Sequence, residues 1–443
     1  MNAYVVTAAA SGCGKTLVTL ALCKALVDLG ARVQPFKFGP DYIDARFYER
    51  IAGRPAHNLD LWLDGEDAVR AHAAAASADA DVTLCEGMMG LFDGANDGSG
   101  STAALARTFG ARVIAVIDCG AASQTAAAVA LGLRDFDPAL DFAGVVLNRI
   151  AGDAHEAAVR DAFERVGISV LAVVRTDAAY KAAERRLGLD PASALRRADA
   201  IDALAQRLRA QPELRRVFER SAPPRQRVAA APRIASREAR PRIAYASDAA
   251  FWFTYPETLD ALSEAGACLV PFSPLEDTRL PEAIDGLWLS GGYPEEHAAE
   301  LEKNVAMRVQ IADVLAAGLP AYAECGGLMY LAETLETEAG SFAMVGALHG
   351  ATTIAEPRLH IGYREARALV DTPLDACGDV IRAYEFHYAS ARLREPTAAY
   401  AIDGSTEGAV RGNLIASFLH RHFLPGSVPI ARFVTAALAK VST

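Results

Sequence analysis

The apolar positions of this chain fall into short β-rich runs separated by stretches with helical spacing. In the first half, Tyr4–Ala8 reads as a strand and Leu17–Leu29 as a helix ended by Gly30. Arg32–Phe36, Val82–Cys85, Val113–Ile117, Ala143–Leu147 and Val170–Val174 read as further strands. These runs are continuously apolar, as expected for strands buried on both faces of a parallel sheet covered by helices. Alternating β and α elements predict a doubly wound α/β domain.

The rhythm breaks over residues 220–242, which hold seven arginines, four prolines and no long apolar run. That composition predicts a linker. The α/β pattern then resumes. Strands are expected at Arg242–Ala246, Cys268–Phe272, Gly286–Leu289 and Pro320–Ala323, with helices at Pro256–Ala265, Val305–Ala317 and Leu328–Leu335. Val345–His349, Tyr363–Ala368, Arg382–His387 and Leu414–Phe418 read as later strands. The expected organisation is one α/β domain over 1–219, a linker over 220–241 and a second α/β domain over 242–443.

A length of 443 residues agrees with two cores. No apolar run approaches the roughly 20 residues that span a bilayer, and the first residues run straight into a strand, so no membrane partner and no secretory signal are expected. Seven cysteines without close pairs speak against a disulfide framework or a zinc site and for a reducing cytoplasm. A net charge of −11 speaks against nonspecific nucleic-acid binding but not against small anionic substrates.

Candidate chemistry sits at both ends. Ala9-Ala10-Ser11-Gly12-Cys13-Gly14-Lys15-Thr16 lies between a strand and a helix, the setting of a phosphate-binding loop. Backbone N–H groups of Gly12, Cys13 and Gly14 cradle phosphates, Lys15 neutralises charge and the Thr16 hydroxyl ligates Mg²⁺. Ala9 replaces the usual first glycine, so slight strain is expected there. Asp41 and Glu86 follow strands on the same sheet edge and are candidate Mg²⁺ ligands with Thr16. Glu86 and Asp93 could equally cap turns beside glycines. Asn148 ends a strand, where its amide could read an adenine edge or cap the strand.

Downstream, Cys325 follows a strand and precedes Gly326-Gly327 and an apolar helix, the setting of a nucleophile on a sharp turn. The helix terminus is expected to lower its thiol pKa. The Gly326 N–H and one from Ser290-Gly291-Gly292, with Gly292 as the candidate, could face an oxyanion. His420 is the candidate activating base, and His387 competes with it.

The segments Pro35–Asp44, Glu86–Gly94, Ser290–Glu295, Ala323–Tyr330 and Glu385–Tyr388 together resemble the family of corrinoid-pathway glutamine-dependent amidotransferases. The resemblance spans nearly the whole chain. It implies a dethiobiotin-synthetase-like parallel-sheet ATP domain followed by a class I glutamine amidotransferase-like domain, with Cys325 as nucleophile and His420 as base. It implies ATP and L-glutamine as co-substrates, Mg²⁺ as cofactor and a corrinoid as substrate. Asp44 and Asp93 are then the candidates for positioning substrate or ammonia at an acyl phosphate. The Gly39–Asp44 segment favours the branch that amidates the a and c carboxylates of cobyrinic or hydrogenobyrinic acid. The b,d,e,g-amidating branch, a nickel tetrapyrrole substrate, and an ATPase regulator with an inactive amidotransferase module are the alternatives. The oligomeric state stays open, with a homodimer as the candidate assembly. His422 stands where ordinary class I glutaminases carry a Glu two residues after the catalytic His, an acid that the resembled family tends to lack as well, so the resemblance implies a Cys–His dyad; Arg186 stands where the family's usual motif has a His.

Overall fold

The computed structural model describes residues 2–94, 98–177, 191–219, 240–394 and 397–441. The chain divides into two compact units, Met1–Ala231 and Pro232–Thr443. Arg186 and residues 220–239 of the expected linker lie outside the described residues.

In the first unit, β1 (Ala3–Ala8), β2 (Val33–Phe38), β3 (His57–Leu59), β4 (Val82–Glu86), β5 (Arg112–Asp118), β6 (Phe142–Ile150) and β7 (Val170–Arg175) build one sheet in the order β3-β2-β4-β1-β5-β6-β7. Every pair in it is parallel. The covering helices are α1 (Lys15–Asp28), α2 (Tyr42–Ala52), α3 (Leu61–Asp64), α4 (Glu66–Ala76), α5 (Thr102–Phe109), α6 (Gln124–Asp135), α7 (Asp153–Arg165), α8 (Pro191–Arg209) and α9 (Pro212–Glu219). The period-2 alternation of strand side chains divides the interior. Val5, Val113, Ala115 and Leu147 face one core, and Tyr4, Val6, Ile114 and Val146 face the other. Both faces are buried, which explains the absence of polar alternation in the sequence.

The second unit centres on β8 (Arg242–Ala246), β9 (Cys268–Phe272), β10 (Gly286–Leu289) and β11 (Ala321–Glu324). Helices α10 (Pro256–Glu264), α11 (Ala298–Lys303), α12 (Val305–Ala316), α13 (Gly326–Leu331) and α14 (Val428–Val441) accompany them. Pro256 pre-sets the first turn of α10, and the Asn304 side chain caps α12. The remaining strands are β12 (Thr334–Thr337), β13 (Gly340–Ala343), β14 (Gly350–Thr353), β15 (His360–Ala368), β16 (Val380–His387), β17 (Ser390–Leu393), β18 (Tyr400–Ile402), β19 (Ser405–Glu407), β20 (Ala409–Arg411), β21 (Leu414–Ser417) and β22 (Leu419–His420). The central sheet runs β20-β21-β11-β10-β8-β9 and is parallel except at the β20 edge. Two smaller sheets, β13-β12-β14-β17 and β19-β18-β15-β16-β22, complete the unit.

Two expectations are corrected. The helix expected over Leu328–Leu335 ends at Leu331, and Thr334–Thr337 is a strand. Val345–His349 is not a strand but a loop that buries Val345 and Leu348. One interaction explains both: the N–H groups of Val345, Gly346 and Leu348 donate to the carbonyls of Tyr330, Ala332 and Leu331, capping α13 and turning the chain.

A buried polar network joins the sheets of this unit. Arg421 donates to both Asp375 oxygens at 2.9 and 2.8 Å, and the Tyr400 hydroxyl donates to Asp375 at 2.9 Å. The Arg421 N–H donates to Glu324 at 3.0 Å, and so does the Tyr322 hydroxyl at 2.7 Å. Breaking a buried ion pair from one side leaves a charge without a counter-charge. Asp375→Ala should therefore cost the second unit about 3–5 kcal/mol. Urea denaturation followed through Trp288, with Trp62 and Trp252 replaced by Phe, measures this; a loss under about 1 kcal/mol would show the pair to be dispensable.

Candidate active sites

In the first unit, the phosphate loop leaves the central strand β1 and enters α1. Gly12 and Gly14 have φ of 81° and 92°, so these positions need glycine. Ala9 is not among the positive-φ residues, so the strain expected from its side chain does not arise. A Cβ at Gly14 would lie 2.3 Å from the Asn148 amide nitrogen. That nitrogen donates to the Cys13 carbonyl at 2.8 Å, and the Asn148 oxygen accepts from the Arg149 N–H. Asn148 is thus engaged with the phosphate loop itself. Arg149 adds a bond to the Gly12 carbonyl at 2.8 Å.

The second wall is the segment from Glu86 to Gly94. Its backbone runs beside β1, with Gly87 and Leu91 donating to the carbonyls of Val6 and Ala8. Gly90 permits the approach, because a Cβ there would lie 2.6 Å from the Ala9 carbonyl oxygen. Lys15 spans the two walls, donating to the carbonyls of Ala10 and Met89. Burial pushes its ammonium pKa down, against the opposing pull of the Glu86 charge. Asp93 accepts from the Gly90 N–H at 2.8 Å, which is the turn-capping geometry.

Glu86 is the hub. Thr16 donates to one oxygen at 2.6 Å, the Lys37 ammonium lies 3.1 Å from the same oxygen, and the Tyr48 hydroxyl donates to the other. Lys37 also reaches Asp41 at 3.4 Å. The hydroxyl of Thr16 and the carboxylates of Glu86 and Asp41 form a hard-oxygen donor set of the kind Mg²⁺ takes beside phosphate. Asp44 falls in the first turn of α2, and its side chain lies outside the description.

In the second unit, β10, β11 and β21 lie side by side, and the turns at their C-terminal ends meet. Leu289 pairs with Ala323, and Glu324 with Ser417. Cys325 sits at φ 49°, ψ −105°, a strained backbone that fixes its side chain on the sharp turn into α13. The following residues must be glycine. A Cβ at Gly327 would lie 2.3 Å from the Leu289 carbonyl oxygen, and one at Gly326 would lie 3.0 Å from the Gly292 nitrogen. The backbones of Gly292 and Gly326 are therefore adjacent beside Cys325.

His420 is buried, with Nδ1 3.1 Å from the Tyr384 carbonyl. That carbonyl accepts the Nδ1 proton, which leaves Nε2 as the basic nitrogen. A backbone group thus orients the ring. His422 is held elsewhere, with its Nε2 2.5 Å from Glu257 in α10. His387 is engaged by Glu385 at 3.1 Å and the Ala389 carbonyl at 2.8 Å, and it stacks on Phe418. His360, Glu385 and His387 cluster closely enough to be considered for a metal. Arg364, 2.8 Å from Glu385, makes the cluster an ion-pair network.

Two family models match the chain. Residues 4–189 match the CobQ/CobB/MinD/ParA nucleotide binding domain, and residues 242–428 match the CobB/CobQ-like glutamine amidotransferase domain. A cobyrinate a,c-diamide synthase of Syntrophotalea carbinolica is 41% identical over 95% of this chain and 95% of its own. One from Listeria monocytogenes is 39% identical over 96% of each. A hydrogenobyrinate a,c-diamide synthase of Agrobacterium fabrum is 39% identical over 95% of this chain and 98% of its own.

The chain belongs to the cobyrinate a,c-diamide synthase family. Its fold is the family's pair of α/β domains, nucleotide-binding and then amidotransferase. No helix among the described residues is long and apolar enough to cross a membrane.

For this cobyrinate a,c-diamide synthase family member the motifs named the loop residues but missed their partners. Lys37 reads as following the strand Arg32–Phe36, whereas β2 runs on to Phe38 and includes it. Its role depends on the β2–β4 register, which sets it opposite Glu86. Tyr48 and Tyr384 carry no local signal, since each acts across a fold contact.

The electrostatics at Cys325 run against the expected thiolate. Burial pushes its thiol pKa well above the ordinary range, reinforced by the charges of Glu295 and Glu324 and only partly opposed by the Gly326 N–H. Burial also takes His420 down to about 3, so the ring is neutral near pH 7. The ligand-free pair is a thiol and a neutral imidazole. A raised thiol pKa means that thiolate grows about tenfold per pH unit without levelling. Peptide-resolved alkylation of Cys325 by iodoacetamide should therefore rise from pH 7 to 9.5 with no plateau. A plateau near pH 8 would overturn the neutral-thiol assignment.

Proposed function

We propose that this chain uses ATP and glutamine to amidate the a and c carboxylates of cobyrinic or hydrogenobyrinic acid. The support is a likeness to a,c-diamide synthases running through both domains, joined to a phosphate loop in one unit and a strained cysteine turn in the other. The hydrogenobyrinate relative is the specific reason to keep the cobalt-free ring as a second substrate.

A carboxylate is a poor acylating agent, so it is activated first. A substrate carboxylate oxygen bonds to the γ-phosphorus of ATP, the β–γ bridging P–O bond breaks, and ADP leaves. Lys15 and the loop N–H groups hold the phosphates in line, and Lys37 adds positive charge at the transferring group. Thr16, Asp41 and Glu86 are the residues that would hold Mg²⁺, which when bound neutralises charge on the phosphates. Asn148 braces the loop, and Asp44 and Asp93 are the acidic groups assigned to the acyl-phosphate end.

At the second site, the Cys325 sulfur bonds to the carboxamide carbon of glutamine. Its proton passes through His420 Nε2 to the leaving nitrogen, and ammonia departs. The N–H groups of Gly292 and Gly326 stabilise the oxyanion. Water then cleaves the thioester to glutamate. Ammonia attacks the acyl phosphate carbon, the C–O bond breaks, and phosphate leaves an amide. The seven cysteines, all without disulfides, support a reducing cytoplasm as the location.

Mass spectrometry of each corrinoid after incubation with enzyme, ATP, Mg²⁺ and glutamine should show two carboxyl-to-amide conversions. Cys325→Ser should abolish glutamine-dependent product and keep ammonia-dependent product, whereas Lys15→Ala should abolish both. Loss of the ammonia reaction in the cysteine variant would overturn the assignment of separate half-reactions.

A further inference from the structure

Glutamine has an α-ammonium and an α-carboxylate as well as the carboxamide that reacts, and nothing above accounts for either charge. One carboxylate near Cys325 is built for such a group. Glu295 lies in the short helical turn Pro294–His297, directly after the Gly291-Gly292 turn. Pro294 packs on the cysteine turn, since a Cβ at Gly326 would lie 2.9 Å from its Cδ. Glu295 is therefore next to the nucleophile's loop, close enough for its charge to act on the Cys325 thiol.

Its Oε2 is fully buried and has no hydrogen-bond partner among the described residues. Three other carboxylates of this unit are supplied with donors. Glu324 accepts from Tyr322 and Arg421, Glu407 from Ser417 and the Phe418 N–H, and Asp375 from Arg421 and Tyr400. An unmade bond to a buried carboxyl oxygen is costly, and a fold that carries one gains when a ligand supplies the donor. Burial takes the Glu295 carboxyl up to about 7, so an arriving cation favours its ionised form. The adjoining rings of Phe253 and Tyr293 offer no competing positive charge. Four bonds separate the carboxamide carbon of glutamine from its α-nitrogen, a span of about 5 Å, so one molecule can meet a nucleophile and a neighbouring carboxylate together.

We infer that Glu295 binds the α-ammonium group of L-glutamine and selects the amino acid over simple amides at Cys325. The inference rests on the glutaminase reading of that cysteine. The test uses the full enzyme with ATP and corrinoid present, and two amides: L-glutamine and glutaramate, which lacks only the α-ammonium. Glu295→Gln should raise KM for L-glutamine about 30-fold or more, with kcat little changed and KM for glutaramate unmoved. Glu295→Asp should recover part of the loss. Iodoacetamide alkylation of Cys325 in Glu295→Gln checks that the cysteine turn is intact. An unchanged KM for glutamine, or an equal rise for both amides, would overturn the inference. A wild-type enzyme that hydrolyses neither amide would instead remove the glutaminase reading beneath it.

Discussion

The second unit is organised around a guanidinium that cannot leave. Arg421 is buried, its charge is fixed by Asp375, and its pKa is raised further by the surrounding acidic groups. A charge in that position must be paired and hydrogen-bonded, or the fold around it fails. The pairing dictates where three other elements lie. Asp375 belongs to the connection between β15 and β16, Tyr400 begins β18, and Glu324 ends β11 immediately before Cys325. His420 precedes Arg421 in sequence. Locking the arginine therefore fixes the histidine and the cysteine turn relative to one another. Two separate sheets carry the candidate cysteine and histidine, and this polar network links the elements that hold them.

Parallel strands do the equivalent work in the first unit. Side chains opposite each other in neighbouring parallel strands share a face, so the Lys37–Glu86 pairing follows directly from the β2–β4 register. Glu86 sits at the C-terminal end of β4, beside the exit of β1 where the phosphate loop begins. The adjacent strands bring further charges to the loop, since Lys37 and Glu86 meet Thr16 there. That arrangement is the general rule for ligands at the carboxyl ends of an open parallel sheet.

The difference between local and long-range chemistry decides what was legible in the chain. Strand runs such as Val113–Ile117 and the glycine-flanked Lys15 and Cys325 are encoded in adjacent residues, and the positions follow from composition and spacing. Glycines at 14, 326 and 327 also declare themselves, since each marks a contact that excludes a side chain. The α13 boundary was illegible because the cap comes from residues 345–348, outside any helix-end signal. The small sheets were legible only at their long strands, since Tyr363–Ala368 and Arg382–His387 read as strands and lie within β15 and β16. Strands of three or four residues such as β18 and β19 carry too few positions for alternation to register. The thiol pKa was misjudged for a physical reason. A helix terminus is a partial charge of a short six-residue helix, whereas full burial beside two carboxylates acts on the whole thiolate charge.

Both sites hold their ionisable groups in surroundings that disfavour charge. Lys15 spends its donors on two backbone carbonyls, in surroundings that already weaken its charge. Burial holds Cys325 as a thiol, and it leaves His420 too desolvated to take up a proton from solvent near neutral pH. Phosphate oxygens are better acceptors than carbonyls for Lys15, and they reverse the desolvation by bringing negative charge to it. A cation bound near the cysteine would offset the neighbouring carboxylate charge that adds to the effect of burial on the thiol, and the adjacent backbones of Gly292 and Gly326 are the candidates to meet an oxyanion. Each substrate thus supplies the charge that its own site lacks.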